Sequence, residues 1–463
     1  MNYRKSSYII TVCVDDVQQQ YMLIHGYTGA IDIVSKDMKE YLVNNTSLSI
    51  DNFFSSKKTF DKLVSRGYIT LRSKEEERAY VKKVASVYHR RDKHYPKIFT
   101  LLVTYDCNFQ CPYCFEKDII QKNGENPHFV MSKEMVDKAF EAMLTIEPEE
   151  RLRNKIVNLF GGEPLLKENK EIIKYIVEKG KKYGFVFGAT SNGYDLDYYE
   201  DLLKAGCFQS IQVTIDGTKA IHDSRRIHSV YMESFDKIIA NIKMALNSGV
   251  TIGVRINVDG ANLGELVKLD HFFKKEGLFS FKQFSAYAEY ISGEVNFSPE
   301  SYLNKKENGV SYRNFLDLFA ISNLKIVYKH SVYNKLYNAI YNKTLFQFTS
   351  SHCSAQSNSY IFDPFGNIYS CLEVVGDKKE VIGHYANKII DFKEKDRWFS
   401  RNISTIDKCS KCKYALICGG GCFAKCLERG HLMEPYCDNF PITFKYFVRK
   451  IYSHLKDGSI VNV

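Results

Sequence analysis

The sequence predicts an α/β chain. Its core is a parallel sheet with right-handed crossovers, open or partly closed as a barrel. A small α+β unit precedes it and a cysteine-rich segment follows. Three observations carry this prediction. Between residues 97 and 290, six β-branched or aromatic runs alternate with five stretches of helical spacing, the pattern of successive β-α-β units. Before residue 93 the runs are shorter and lack that alternation. After residue 350, eight of the 13 cysteines fall between Cys353 and Cys437.

The first elements are "SYIITVCV" (7–14) and "YMLIH" (21–25), two β-rich runs that read as a hairpin. "SKDMKEYLV" and "TFDKLVSRGYITL" follow with helical spacing and then a short strand, with Gly67 where a helix C-cap belongs. "EEERAYVKKVASVYHRR" is a charged amphipathic helix that reads as a connector. Then come the six strands "KIFTLLVTY", "KIVNLF", "FVFGAT", "SIQVTID", "VTIGVRINV" and "FKQFSAYAEY" with helices between them. In the fourth helix Phe235, Ile238, Ile239, Ile242, Ala245 and Leu246 recur at helical spacing, with Ser234 to cap its start and Gly249 its end. Residues 291–350 are polar and rich in Tyr and Asn. The expected boundaries are therefore 1–92, 97–290, 291–350 and 351–463, the last ending in a helix.

The chain has 463 residues, 44% apolar and 25% charged, an ordinary globular composition. No run of eighteen apolar residues occurs, so no membrane span is expected. The apolar run near the N-terminus is short and meets Asp15 and Asp16, which fits a first strand better than an export signal. A cytoplasmic location is expected. Net charge is +10, and residues 1–96 carry 16 Lys and Arg against 11 Asp and Glu. That surplus suits an acidic partner, peptide or nucleic acid, or simply a solvated surface.

Cysteines clustered at short spacings, without an export signal, read as metal or redox sites rather than disulfides. Cys107, Cys111 and Cys114 follow the first strand of the alternating region directly, at the strand end where parallel folds bind ligands. A tetrahedral zinc site wants a fourth ligand nearby, and none is close in sequence. A [4Fe–4S] cube held by three thiolates keeps one iron open for a substrate or cofactor.

C-x3-C-x-aromatic-C, with Tyr113 as the aromatic, resembles the signature of the radical S-adenosylmethionine (radical SAM) family. The resemblance implies that SAM chelates the open iron through its amino and carboxylate groups. One electron then cleaves it to a 5′-deoxyadenosyl radical that removes a hydrogen atom from the substrate. "NLFGGEPLL" places Gly161, Gly162, Glu163 and Pro164 after the second strand. The glycines permit close backbone approach, and Glu163 is an acceptor suited to an ammonium. This matches the family's GGE motif, which receives the methionine amino group. By the same resemblance Thr214 of "VTIDG" and Arg226 of "HDSRR" touch the SAM carboxylate region. Ser191 and Asn192 of "TSNG", and Asn257 of "RINV", are contacts to ribose or adenine, with a turn or capping role as the alternative.

The C-terminal cysteines read C-x12-G-x4-C (Cys353, Gly366, Cys371), then C-x2-C-x5-C-x3-C (Cys409, Cys412, Cys418, Cys422), then Cys437. This resembles the SPASM extension of radical SAM enzymes, which binds two auxiliary [4Fe–4S] clusters. A zinc ribbon would use only four of these residues. Carried over, Cys409, Cys412, Cys418 and Cys437 hold the outer cluster, and Cys353, Cys371 and Cys422 the inner one. The fourth inner ligand is Cys426, or that iron stays open for a substrate thiolate. The three glycines of "CGGGC" allow backbone amides to face cluster sulfur.

The resemblance implies a partial (β/α)6 TIM-like barrel, an N-terminal winged-helix-like α+β domain and a C-terminal SPASM domain, with three [4Fe–4S] clusters and SAM as cofactors. The implied activity is that of a peptide maturase acting on a ribosomally made precursor peptide, whose leader the N-terminal domain binds. Electrons would come from a donor such as flavodoxin or ferredoxin, and neither nucleic acid nor a membrane is expected as partner. A Cys-to-carbon thioether crosslink is the leading product, with a carbon–carbon crosslink or sulfatase-type oxidation of one residue as alternatives. A non-catalytic iron–sulfur electron carrier is the reading from a different class.

Overall fold

The computed structural model describes residues 3–45, 47–116, 129–291, 315, 317–318, 324–328, 331–387, 395–437 and 440–457. Most of the expected bridging region, 292–314 above all, lies outside the described residues. The chain divides into two compact units, one of residues 1–93, 330–357 and 400–463, the other of residues 94–329 and 358–399. Among the described residues no helix is long and apolar enough to cross a membrane.

The first unit opens with β1 (Arg4–Lys5), β2 (Ile9–Asp15), β3 (Gln20–His25) and β4 (Ile31–Ser35). After them come α1 (Lys36–Asn44), α2 (Lys57–Ser65), β5 (Ile69–Thr70) and α3 (Lys74–Lys93). β2 and β3 form the expected hairpin, and β4 adds a third antiparallel strand to it. β1 pairs with β5. Ser35 and Ser56 cap α1 and α2 by accepting from the N–H groups of Met38 and Thr59. Gly67 follows α2 at φ +89°, a conformation that Gly takes without strain. Leu23, Met38, Leu42, Phe60, Leu63 and Tyr68 fill the core between sheet and helices. The helix Phe440–Asp457 lies along β2, where Arg449 Nε donates to the Cys13 carbonyl at 2.9 Å and Lys456 pairs with Asp15 at 2.7 Å.

A buried polar hub ties this unit together. The Glu77 carboxylate on α3 accepts from Arg4 Nη2 (2.7 Å), Ser7 N (2.9 Å), Tyr27 OH (3.0 Å) and Ser6 Oγ. Ser6 Oγ lies 3.0 Å from His25 Nε2, while His25 Nδ1 accepts from the backbone N–H of Thr28 at 3.2 Å. The ring therefore carries its proton on Nε2 and is neutral.

In the second unit the strands are β6 (Lys97–Thr104), β7 (Arg153–Gly161), β8 (Val186–Ser191), β9 (Phe208–Thr214), β10 (Thr251–Val258), β11 (Phe284–Tyr290) and β12 (Val327–Tyr328). β13 (Ser359–Phe362), β14 (Asn367–Tyr369) and β15 (Gly383–His384) complete them. The helices are α4 (Lys133–Ile146), α5 (Lys170–Lys181), α6 (Glu200–Lys204), α7 (Lys219–Arg225), α8 (Phe235–Asn247) and α9 (Glu265–Lys275). Among the described residues the sheet runs β12-β11-β10-β9-β8-β7-β6-β13-β14-β15. β6 to β12 are parallel neighbours in strict sequence order. Sequential order means every crossover advances the same way, as in the wall of a (β/α) barrel rather than a doubly wound sheet. The free edge of β6 is paired by β13, also parallel, which brings in the antiparallel β14 and β15.

The six apolar positions predicted on α8 are all buried. Asn241 is buried among them, its Nδ2 donating to the carbonyls of Gly193 (2.9 Å) and Tyr194 (2.8 Å) beyond β8. The expected Ser234 cap is corrected. Its hydroxyl is engaged with His222 Nε2 at 3.1 Å, and Asp223 Oδ1 accepts from the N–H groups of Ser234 (2.9 Å) and Phe235 (3.0 Å). The capping carboxylate thus comes from α7, a short helix the periodicity does not announce.

Burial holds the His25 pKa at about 4, against an ordinary value of 6.5. A depressed folded-state pKa means that the unfolded chain takes up the proton first as pH falls. Stability contributed by neutral His25 is full above pH 6.5 and is lost as pH falls toward 4, by about 3 kcal/mol. Thermal melts between pH 4 and 7 will show a steeper acid loss for the native chain than for His25→Gln.

Candidate functional site

Because β6 to β10 are parallel, their carboxyl ends share one edge of the sheet, and the motifs singled out in the sequence lie there. The cysteine loop leaves β6 with Asp106 N–H donating to Thr104 Oγ1 at 3.0 Å. It is pinned to the segment after α7 by Gln110 N–H to the Ile227 carbonyl (2.8 Å) and Ser229 N–H to the Asn108 carbonyl (2.9 Å). Cys107, Cys111 and Cys114 are free thiols, close enough that charge on one disfavours charge on the next. Cys107 is solvent-accessible, yet burial by surrounding protein pushes its thiol far above the ordinary value. A group both reachable and desolvated lines a recess.

The loop after β7 lies directly on this cysteine loop. Gly162 N–H donates to the Thr104 carbonyl at 3.0 Å and Glu163 N–H to the Asp106 carbonyl at 2.7 Å. A Cβ on Gly161 would stand 2.1 Å from the Thr104 carbonyl oxygen, and one on Gly162 2.4 Å from that of Asp106. The glycines are needed by backbone meeting backbone within the protein. Pro164 follows, its carbonyl accepting from Asn169 Nδ2 at 3.3 Å.

Glu163 is buried. Its Oε1 accepts from Leu165 N–H (2.9 Å) and Ser191 Oγ (2.8 Å), and its Oε2 from Asn192 N–H (2.5 Å). Burial raises its pKa to about 7 against the pull of these donors. Among the described residues no basic side chain pairs with it, and one lone-pair direction on Oε2 is left for a further donor. Arg226 is the complement. It is buried, Nη1 donates to Tyr113 OH at 2.9 Å, its guanidinium lies 5.6 Å from the Phe109 ring centroid, and Nε has no partner. No carboxylate among the described residues forms an ion pair with it. A buried carboxylate with no cation beside it, and a buried guanidinium whose nearest carboxylate, Asp216, is reached through Tyr113, suit a zwitterionic ligand such as the amino-acid end of SAM. The donor set of three thiols with a recess at Cys107 likewise fits a [4Fe–4S] cube.

Tyr113 is more than the aromatic of the motif. Its hydroxyl donates to Asp216 and accepts from Arg226, and the Arg225 guanidinium lies 5.4 Å from its ring centroid. Asp216 is fully buried and also accepts from Asn257 N–H at 3.2 Å. Thr214 is buried at the end of β9. Ser191 Oγ accepts from Gly193 N–H (2.9 Å). Asn192 spends its side chain on Asn108 Oδ1 (2.7 Å) and Tyr194 N–H (2.9 Å), and Asn257 Oδ1 accepts from Arg255 Nε (2.9 Å). These three side chains organise loops in the structure. Sequence reasoning missed Asp216, although it stands inside the quoted "VTIDG", and Glu116, two residues past Cys114. Glu116 is buried with Oε1 unpartnered, and its pKa is raised to about 8 by burial and by the Glu163 charge.

The C-terminal thiols of the first unit fall into two groups by mutual electrostatic influence. Cys409, Cys412, Cys418 and Cys437 act on one another. Cys422 acts on both Cys353 and Cys426. Burial raises the Cys409 and Cys418 thiols to about 12, and Cys353, though solvent-accessible, to about 11. The backbone N–H groups of Gly420 and Gly421 face Cys418 Sγ. Gly419, Gly420 and Gly421 all have positive φ, 76°, 85° and 77°, so the run of glycines is conformationally required. Cys371 follows β14 in the second unit and is half-buried. Among the described residues no three His, Cys, Asp or Glu side chains close around a single ion.

Gly162→Ala will destabilise the chain by about 1–3 kcal/mol, because the new methyl meets two carbonyls that the strand ends hold in place. The control Gly264→Ala, whose Cβ meets nothing within 4 Å, will be neutral or stabilising. Chemical denaturation of the two variants measures the difference.

Residues 101–273 match the model of the Radical SAM superfamily. The chain is 26% identical over 371 residues to a cysteine-type anaerobic sulfatase-maturating enzyme of Clostridium novyi, covering 75% of this chain and 93% of that protein. Among solved structures, native anSMEcpe with bound AdoMet superposes with a TM-score of 0.55 at 18% identity, over 78% of this chain and 99% of that one. Streptococcus suis SuiB does so with a TM-score of 0.50 at 14% identity, over 93% and 98%. SuiB bound to precursor peptide SuiA matches at 0.50 and 12%, over 94% and 98%. The fold is that of these structures, residues 101–273 are a radical SAM domain whose family implies SAM and a [4Fe–4S] cluster, and the chain is an enzyme built around that domain.

Proposed function

We propose that the protein is a maturase of a ribosomally made peptide and that it installs thioether crosslinks from a cysteine sulfur to a peptide carbon. The observation that carries the chemistry is the pair of buried groups of opposite charge type, Glu163 and Arg226, neither in an ion pair among the described residues, beside Cys107, Cys111 and Cys114. In this reading the three thiolates hold a [4Fe–4S] cube, Glu163 accepts from the SAM ammonium, and Arg226, steadied by Tyr113, receives the carboxylate. When bound, SAM supplies the radical that removes one hydrogen atom from the substrate. The protein's own share is to orient that cofactor and to keep water from the recess.

The C-terminal thiols hold two further clusters, Cys409, Cys412, Cys418 and Cys437 one of them. Cys353, Cys422 and Cys371 serve the other. Cys426 is its fourth ligand, supported by its position one helical turn from Cys422. The N-terminal residues, 1–92, recognise the leader. The helix Phe440–Asp457 lies along β2, while β4 has no strand partner on its outer side among the described residues. Ile33 on β4 is 51% exposed. An extended leader adds there as a further strand, and the local positive charge suits acidic leader residues. An acidic donor such as a flavodoxin or ferredoxin supplies the electron.

The second reading is a sulfatase-type maturase, favoured by the Clostridium novyi relative. What favours a precursor peptide is coverage. SuiB matches 93% of this chain and anSMEcpe 78%, so the first accounts for more of the molecule.

The anaerobic, dithionite-reduced protein will carry about twelve irons per chain, four per cube, and will release 5′-deoxyadenosine from SAM. With its precursor peptide it will remove two hydrogens per crosslink, and the linked cysteine will no longer react with iodoacetamide. A carbon–carbon crosslink leaves that cysteine reactive, and oxidation of a single residue leaves no linked fragments in tandem mass spectra.

A further inference from the structure

Arg401 is fully buried. Its Nε donates to the Leu432 carbonyl (2.9 Å) and Nη1 to that of Gly421 (3.1 Å). Nη2 reaches the carbonyls of Gly420 (3.1 Å) and Glu434 (2.9 Å) and the Sγ of Cys426 (3.1 Å). The Phe423 ring centroid lies 5.4 Å from the guanidinium carbon. Every acceptor is a neutral carbonyl or a thiol. Glu434 lends its backbone, while its carboxylate pairs with Lys408. Among the described residues no carboxylate forms an ion pair with Arg401. A guanidinium keeps its charge at any relevant pH, and a buried charge without a counter-charge is strongly unfavourable.

Arg401 Nη2 bonds the Cys426 thiol directly, and Gly420, whose carbonyl it also bonds, lies against Cys409: a Cβ there would stand 3.7 Å from Cys409 Sγ. The Gly420 and Gly421 carbonyls that it binds belong to the loop whose N–H groups face Cys418. Gln356 Nε2 donates to the Arg401 carbonyl at 2.8 Å, tying it to the turn that follows Cys353. The guanidinium therefore stands within electrostatic reach of both thiol groups and bonds directly to one thiol.

We propose that Arg401 is the shared buried counter-ion of the two iron–sulfur clusters held by the C-terminal cysteines, a positioning residue that favours their reduced states. The inference rests on the cluster assignment given under Proposed function. Each cube with four thiolates is an anion, and taking one electron from an external donor adds one negative charge while no bond to Arg401 changes. A fixed cation nearby favours that form and raises the reduction potential. The same charge lowers the penalty of bringing several thiolates together before iron arrives.

The test uses the full-length chain, iron-loaded anaerobically, with Cys107, Cys111 and Cys114 all changed to Ala so that the remaining iron belongs to the C-terminal clusters. Electron paramagnetic resonance follows their reduction by dithionite against potential. Arg401→Gln is expected to keep its iron and shift the reduced-to-oxidised equilibrium about tenfold toward oxidised, about 59 mV for a one-electron couple. Arg401→Lys is expected to recover most of that shift. An unchanged potential in Arg401→Gln at full iron overturns the proposal. So does an Arg401→Lys variant as displaced as Arg401→Gln, which makes the role one of bonding carbonyls. If Arg401→Gln loses iron, retention by Arg401→Lys supports the charge and equal loss overturns it. Absence of iron from the parent with Arg401 intact instead overturns the cluster assignment, and this proposal with it.

Discussion

Two backbone hydrogen bonds, from the N–H groups of Gly162 and Glu163 to the carbonyls of Thr104 and Asp106, organise the chemistry of this molecule. They lock the loop after β7 onto the loop that carries the first three cysteines. Only glycine permits the approach, since any Cβ at 161 or 162 would collide with those carbonyls. Once the loops are joined, Glu163 is driven into the interior. There its carboxylate can do nothing but gather donors, and it takes Leu165 N–H, Ser191 Oγ and Asn192 N–H. Those bonds fix the end of β8. The chain there is held from the other side by Asn241 of α8, through the carbonyls of Gly193 and Tyr194. One close contact between strand ends thus propagates over three neighbouring loops.

The same economy of charge recurs at three places. Glu163, Arg226 and Arg401 are each buried, and each lacks an ion-pair partner among the described residues. An isolated buried charge is unfavourable by several kcal/mol even after relaxation. Hydrogen bonds to neutral groups offset that, about 1.5–3 kcal/mol apiece for bonds to a charged group, but they supply no opposite charge. Charges held this way are best explained by what is bound between them. Around the first three thiols the pair is of opposite sign, which suits a zwitterion. Among the C-terminal thiols the fully buried charge is the Arg401 cation, which suits an anionic cluster.

Much of this was legible in the sequence, because the informative signals are local. The alternation of apolar runs marks β6 to β11, cysteine spacing marks the groups of neighbouring thiols, and "GGE" marks the turn. What was not legible depends on tertiary placement. β4 is five residues long and half-exposed, too short for its alternation to stand out. β13 to β15 lie some seventy residues beyond β11 and join the sheet only because the free edge of β6 is open for pairing. Asp223 displaced Ser234 as the α8 cap because the hydroxyl found His222, a partner invisible in the linear chain. Asn241 looks like a flaw in an apolar stripe until the carbonyls beyond β8 come into view. The glycines were expected to admit a ligand. In the structure they admit the neighbouring strand end.

Desolvation links folding to cofactor loading. Among the described residues, each cysteine of the two thiol-rich regions whose ionisation is perturbed is shifted upward, burial being the largest cause each time. A folded chain without iron therefore keeps these thiols protonated at neutral pH. Thiolate is the form that attacks disulfides and the form that binds metal, so protonation protects the crowded sulfurs from oxidation while it opposes loading. Assembly of a cube must expel a proton from each ligand. The groups arranged to ease that step are those the fold has already placed: the Gly420 and Gly421 amides at Cys418, the Arg226 guanidinium at Cys111, and Arg401 at Cys353, Cys409 and Cys426. The thiols are held neutral by burial and made ready for ionisation by fixed dipoles and cations, so the energetic balance tips toward thiolate when iron is present to complete it.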